Sequence, residues 1–176
     1  LEHLTEIHAA SGDAEGEVQQ RRPVQVDADD LERVRTQFLG EIRQTPPMHS
    51  ALKKDGRPLY EYARAGIEVA REARAVAIRD LALALVADGE QVTVRMQVTC
   101  SKGTYIRTLA QDIGEALGCG AHLTRLRRVQ TAGFGIGECV TLARLEAMPQ
   151  DERLAALRPV EDLLQGHARV MLEPDD

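Results

Sequence analysis

The stretch Val98-Thr-Cys-Ser-Lys-Gly-Thr-Tyr-Ile-Arg-Thr-Leu-Ala-Gln-Asp-Ile-Gly-Glu-Ala-Leu-Gly118 decides the fold, because the hydrophobic period changes inside it from two to about 3.6 residues. Upstream, Val92, Val94, Met96, Val98 and Cys100 alternate with Gln91, Thr93, Arg95, Gln97 and Thr99, the pattern of a strand with one apolar face. Downstream, Ile106, Leu109, Ala110, Ile113 and Leu117 fall on one helical stripe, which predicts a helix over residues 104–117 with Gly118 as its stop. Ser101 and Thr104 are available to cap that helix. Tyr105 and Arg107 lie on either side of the stripe, so neither is needed to fill a core and both can reach a groove. Strand-to-helix junctions of this kind are where binding and catalytic groups concentrate.

Working outward, residues 76–86 read as a strand with Leu81, Leu83 and Leu85 on one side. Asp88-Gly89 is a two-residue hairpin signal leading into the strand of residues 91–100. Asp27 looks like the N-cap of a helix whose apolar residues Leu31, Val34 and Phe38 recur at three and four, with Gly40 beyond its end. Between these elements, residues 44–58 contain Pro46, Pro47, Gly56 and Pro58, which predicts a loop, and residues 59–65 form a short helical piece ending at Gly66. That describes an excursion from the core. Helices over residues 104–117, 141–147 and 159–164 are the candidates to cover one sheet face, giving an α+β layered arrangement.

The 176 residues suffice for one domain with a core of its own and an appendage. Cys100, Cys119 and Cys139 are odd in number and lack metal-ligand spacing, which argues against a disulfide framework and for a reducing cytoplasm. No apolar run approaches the ~18 residues that cross a bilayer. The net charge of −6 looks wrong for a nucleic-acid partner until it is divided along the chain. Residues 1–35 and 131–176 each carry four basic and nine acidic side chains, whereas residues 43–74 carry seven basic against four acidic and residues 100–130 five against two. Phosphates respond to local charge within a Debye length of about 8 Å, so the two basic windows, not the total, decide what the surface attracts.

Cys100-Ser-Lys-Gly-Thr-Tyr-Ile-Arg-Thr108, followed by Leu117-Gly-Cys-Gly-Ala-His-Leu-Thr-Arg-Leu-Arg-Arg128, resembles the bacterial tRNA pseudouridine synthase B (TruB) family. A second block agrees. Pro46-Pro-Met-His-Ser-Ala-Leu-Lys-Lys-Asp-Gly-Arg-Pro-Leu-Tyr-Glu-Tyr-Ala-Arg64, continuing to Arg74, resembles that family's RNA-gripping insertion in composition and order, and both basic windows coincide with these blocks. The resemblance runs over about residues 12–164. It implies a mixed, mostly antiparallel sheet flanked by helices, a pseudouridine synthase-like α+β fold with the active cleft across its middle. It divides the chain into an irregular or appended segment at 1–11, a catalytic-domain core at 12–165 with the insertion at 44–74, and the start of a truncated terminal domain at 166–176.

The resemblance also implies roles. Tyr105 matches the active-site tyrosine, whose ring can stack on a flipped base. Arg107 matches the residue that pairs with the catalytic aspartate, where its fork can orient a carboxylate. Leu126 matches an apolar wall of the base pocket, the alternative being a core residue of a terminal strand. His49, Lys53, Lys54, Arg57 and Tyr60 combine cations with aromatic faces, the mixture that holds a splayed RNA loop. Lys102 is a phosphate or structural contact, and Arg127 and Arg128, with Arg125, form a second basic patch. The implied reaction turns the T-loop uridine of tRNA into pseudouridine with no cofactor and no metal, in a cytoplasmic enzyme that is monomeric when intact.

One departure matters. The family's catalytic aspartate stands in a Gly-x-Leu-Asp motif with a further tyrosine shortly after it, and neither motif occurs here. The chain as given is therefore expected to be inactive alone. The rival reading is a non-catalytic RNA-binding or RNA-folding module. A hydrolase built on Cys100, Ser101 and Lys102 with His122 is disfavoured because Cys100 lies on the apolar face of its strand and no nucleophile elbow is present. His3, His8, His49, His122 and His167 are too scattered to suggest a metal site.

Overall fold

The computed structural model describes residues 2–8, 22–88 and 91–164, with backbone alone for residues 2–8, 87, 88 and 91. It divides into two compact units, residues 1–129 and 130–176. The expected domain start at 166–176, His167, Gly89 and residues 9–21 lie outside the described residues.

The first unit is built on a five-stranded sheet. Its strands are β1 (Glu2–His8), β2 (Gly40–Gln44), β5 (Arg74–Asp88), β6 (Gln91–Cys100) and β7 (His122–Arg128), in the order β2-β5-β6-β1-β7, and every neighbouring pair is antiparallel. The opening segment, read from sequence as irregular or appended, thus contributes a strand between β6 and β7. A β5–β6 hairpin forms where the Asp88-Gly89 signal expected one, although Asp88 itself pairs with Gln91 and so ends β5 instead of turning. Two helices, α1 (Ala28–Phe38) and α3 (Ile106–Ala116), with Ala121 just before β7, supply the rest of the buried core cluster.

Alternation in β6 buries Val94, Met96, Val98 and Cys100, and the helical stripe buries Ile106, Leu109, Ala110 and Ile113. Each such large apolar side chain, fully buried, contributes roughly 1.5–3 kcal/mol, so the junction between β6 and α3 is anchored from both sides. Thr93, on the polar face of β6, is also buried. In β5, the register slips by one residue between Ile78 and Asp80. Val76 and Ile78 have even numbers and Leu81 an odd one, and an unbroken strand would send them to opposite faces. The extra residue Arg79 reverses the alternation, so all three are buried in one core. Leu85, expected on that side, is 42 % exposed at the far end of the hairpin.

Helix α1 begins as its sequence predicted. Asp30 N–H donates to Asp27 Oδ1 at 2.9 Å, and Asp27 N–H reaches Asp30 Oδ2 at 3.4 Å, a reciprocal capping box. The excursion after β2 is more ordered than a loop. Strands β3 (Lys53–Lys54) and β4 (Arg57–Pro58) form a small hairpin, followed by α2 (Leu59–Arg64). Its turn, Asp55-Gly56, has positive φ at both residues (51° and 77°), the geometry of the mirror-image turn that suits twisted strands and that Asp-Gly adopts at least cost.

The second unit holds a short hairpin of β8 (Gln130–Thr131) and β9 (Phe134–Gly135), then α4 (Leu142–Ala147) and α5 (Gln150–Ala155). A 3-10 turn at Val160–Leu164 stands where a helix was expected over residues 159–164. Arg158 organises this unit: it pairs with Glu138 and Asp162, both at 2.8 Å, and lies over the Phe134 ring. The Gly135 N–H, which donates to Glu138 Oε2 at 2.9 Å, and then the Arg158 guanidinium hold the Glu138 carboxyl below its usual range.

Candidate active site

The junction after β6 is fixed by backbone rather than by the expected cap. Ser101 N–H donates to Ala77 O at 2.8 Å, and Ala77 N–H donates to Ser101 Oγ at 3.0 Å, so Ser101 extends the pairing with β5. Thr104 Oγ1 turns back to Ser101 O at 2.9 Å and closes the Ser-Lys-Gly-Thr turn. Neither side chain caps α3. The N-cap is Tyr105, with extended backbone (φ −94°, ψ 106°) and no side-chain capping bond. Arg107 is exposed and Tyr105 is half-buried, as their places beside the helical stripe required, and Lys102, in the turn before them, is exposed.

What holds Tyr105 is a residue the sequence reading assigned no role. Gln44, the last residue of β2, is 2 % exposed. Tyr105 N–H donates to Gln44 Oε1 at 2.7 Å, and Gln44 Nε2 donates to Tyr105 O at 3.0 Å. A polar residue beside a Pro-rich run gave no signal of this, because its burial depends on a partner 61 positions away.

The insertion begins directly after Gln44, and its cations hold it together from within. Arg71 donates to Pro46 O at 3.0 Å and pairs with Glu68 at 3.7 Å. Lys54 Nζ donates to Ala70 O at 3.1 Å, and Tyr62 OH donates to Lys54 O at 3.3 Å. Arg57 pairs with Glu61 at 2.9 Å and lies 4.9 Å from the Tyr62 ring centre, while Arg64 lies 5.2 Å from that of Tyr60. Between the hairpin and residues 70–74 opens a cleft of about 210 Å³ lined in part by Lys53, Lys54, Arg71, Arg74 and Glu72. Arg71, one of its lining residues, has a buried Nε without a hydrogen-bond partner among the described residues. Four cations against one carboxylate make a cleft suited to an anion. His49, Lys53, Lys54 and Arg57 are exposed and Tyr60 is half-buried.

Gln44 thus joins the foot of the insertion to the Tyr105–Arg107 junction. Leu126, Arg127 and Arg128 stand on β7, two strands from β6 in the sheet order. Leu126 is 54 % exposed, which removes the alternative that it is core; its backbone lies opposite Thr5 of β1. Arg125, Arg127 and Arg128 are exposed along the same strand. Cys100 is buried in the core cluster, which excludes it as an accessible nucleophile. Among the described residues no group of three His, Cys, Asp or Glu side chains is placed to hold a metal, and no helix is long and apolar enough to cross a membrane.

The first unit thus sets Tyr105 at the N-cap of α3, Arg107 in the first turn of that helix and a cationic insertion after β2 on a five-stranded antiparallel sheet. The same architecture occurs in a solved Cbf5-Nop10-Gar1 complex, at a TM-score of 0.60 and 28% identity over 92% of this chain and 42% of that one. An H/ACA RNP bound to a substrate RNA containing 2'-deoxyuridine shares the fold at a TM-score of 0.55 and 24% identity, over 92% of this chain and 40% of that one.

The chain belongs to the TruB family: residues 2–106 match the TruB family pseudouridylate synthase N-terminal domain, and residues 107–165 the tRNA pseudouridylate synthase B C-terminal domain. It is 55% identical to the tRNA pseudouridine synthase B of Verminephrobacter eiseniae over 98% of its own length and 54% of the relative's. It is 55% identical to that of Ralstonia nicotianae over 97% and 54%. The chain thus spans about half the length of these curated relatives.

Proposed function

We propose that this chain carries the RNA grip and the base-holding half of the active site of a tRNA uridine-to-pseudouridine isomerase acting on the T-loop. The observation that carries the reading is the Gln44 link, which fixes the Tyr105–Arg107 junction to the foot of the cationic insertion. The family match supplies the reaction class.

The reaction breaks the bond between base and ribose, turns the base and rejoins it through carbon. A target uridine must first leave its stack, at a cost of a few kcal/mol. An aromatic platform returns about 1–3 kcal/mol per stacked base, which is the task assigned to Tyr105; its hydroxyl stands ready for the proton that leaves carbon. Arg107 offers a bidentate fork to the carboxylate that acts at the sugar. That carboxylate's family motif, Gly-x-Leu-Asp, does not occur in this chain, so the chain alone binds without turning over. Leu126, by this reading, forms an apolar wall for the base, while Lys102, Arg127 and Arg128 touch the RNA backbone.

The cations of the insertion act on phosphates, and the cleft lined by Lys53, Lys54, Arg71 and Arg74 is the place assigned to one. Phosphate contacts position the RNA and the shape of the loop supplies selectivity. The reading includes a monomeric, cytoplasmic protein with no cofactor. Fluorescence anisotropy with a T-arm stem-loop and an anticodon stem-loop of equal length tests it. Tighter binding of the T-arm, with a steep salt dependence, is expected; equal affinity for the two would refute the T-loop assignment.

A further inference from the structure

We infer that Gln44 is a positioning residue for the reaction, acting through Tyr105; the inference rests on the reading of Tyr105 given above. The Gln44 carboxamide holds both backbone polar groups of that one residue, the N–H at 2.7 Å and the carbonyl at 3.0 Å. With the nitrogen and the carbonyl of Tyr105 both located, the tetrahedral Cα leaves a single direction for Cβ. The ring then retains only its two side-chain torsions.

The carbonyl of Tyr105 also accepts the N–H of Leu109 at 3.0 Å, the first bond of α3. The clamp therefore sets the starting point of the helix whose second residue is Arg107. Neither of the expected caps performs this: Thr104 is turned back to Ser101 O and Ser101 is engaged with Ala77, and the N-cap Tyr105 has no side-chain capping bond. A buried primary amide is an expensive choice at the end of a strand, where an apolar residue would pack without partners. Its two groups match the donor and acceptor of one extended residue, as a neighbouring strand would. Because Gln44 is also where the insertion leaves β2, the same side chain fixes the grip and the base platform relative to each other.

The test uses a full-length protein carrying this sequence, with single-turnover rates on T-arm RNA measured beside RNA affinity and thermal midpoint. Gln44→Met keeps length and removes both hydrogen bonds. It should slow turnover by about 100-fold, the penalty of a shift near 1 Å at a reacting centre, while affinity stays within about twofold. Gln44→Glu keeps the acceptor for the Tyr105 N–H and regains a donor for the carbonyl only when protonated. Its rate should lie between those of the other two proteins and rise as pH falls. The backbone amide resonance of Tyr105 should move in Gln44→Met.

Turnover within twofold of the unsubstituted protein in Gln44→Met, with Tyr105→Ala inactive, would overturn the clamp and leave the Tyr105 reading standing. Parallel loss of turnover and affinity with a lowered midpoint would reduce Gln44 to a structural residue and likewise overturn it. Full turnover in Tyr105→Ala would instead remove the reading on which the inference rests. If Gln44→Met does not fold, Gln44→Glu carries the same test through its pH dependence, and a pH-independent rate equal to that of the unsubstituted protein refutes the clamp.

Discussion

Replacing Gly114 by alanine adds one methyl group where α3 has no room for it. A Cβ built there would meet the backbone N of Ala121 and the backbone carbonyl carbon of Gly120 well inside contact distance, and Ala121 Cβ at 2.5 Å. Carbon atoms rest at about 3.5–4.0 Å, so helix and loop must separate by about 1 Å. The obstructing atoms are mostly backbone, which no rotamer change can move aside. Gly120 N–H also donates to Gly114 O at 2.9 Å, and separation would stretch this bond. Overpacking of this kind costs about 1–3 kcal/mol, while alanine returns up to about 1 kcal/mol of helix propensity. Because backbone blocks the site, the upper part of the overpacking range applies, for a net loss of about 2 kcal/mol. In a chain of this size that lowers the thermal midpoint by roughly 4–8 °C. Circular dichroism melts, with urea unfolding to show an unchanged m-value, provide the assay. A Gly114→Ala protein as stable as the original would refute the packing of α3 on the Gly120–Ala121 backbone.

Three further predictions concern the site and its supporting helix. In a full-length version, Tyr105→Ala or Arg107→Ala should abolish pseudouridine formation and leave tRNA affinity within a few-fold, measured by rate and anisotropy on one preparation. The double substitution Lys53→Ala and Lys54→Ala should do the reverse: weaker binding, with the slope of log affinity against log salt reduced by about 1–2. An unchanged slope would remove these lysines from the phosphate contacts. Burial raises the Asp112 carboxyl above its ordinary range, so the fold favours its protonated form. That contribution is complete below the unfolded pKa and is lost as pH rises through the folded one. Asp112→Asn should therefore raise the thermal midpoint at neutral pH, with the gain disappearing toward pH of about 3.5; a gain that persists at low pH would contradict the assignment.

Local periodicity carried the parts of the fold that depend on a single element. The alternation through Cys100 and the stripe from Ile106 to Ile113 face the core as read, because burial of one face is written in the spacing itself. The features that escaped reading depend on partners remote in sequence. The slip at Arg79 is a property of the pairing between β5 and β6, and it explains how Ile78 and Leu81 share a core despite opposite parity. The Asp55-Gly56 turn carried the same dipeptide signal as Asp88-Gly89, but its flanks are charged and followed by Pro58 rather than alternating apolar residues, so it read as loop. Ser101 and Thr104 looked like caps because their composition fits one, yet a partner on β5 claims Ser101 first. At the site, Tyr105 and Arg107 were visible from the helical wheel and the resemblance, whereas Gln44 becomes legible only once β2 and α3 are seen side by side.

Release of tritium from a T-arm stem-loop labelled at uridine C5 tests the central claim most directly, with the chain as given, a full-length version and its Tyr105→Ala variant run in parallel. The account predicts release by the full-length protein alone, with RNA binding by all three. Release by the chain as given would show that one of its own carboxylates completes the site. Silence from the full-length protein on RNA that it binds would contradict the assignment of pseudouridine chemistry to the Tyr105–Arg107 junction.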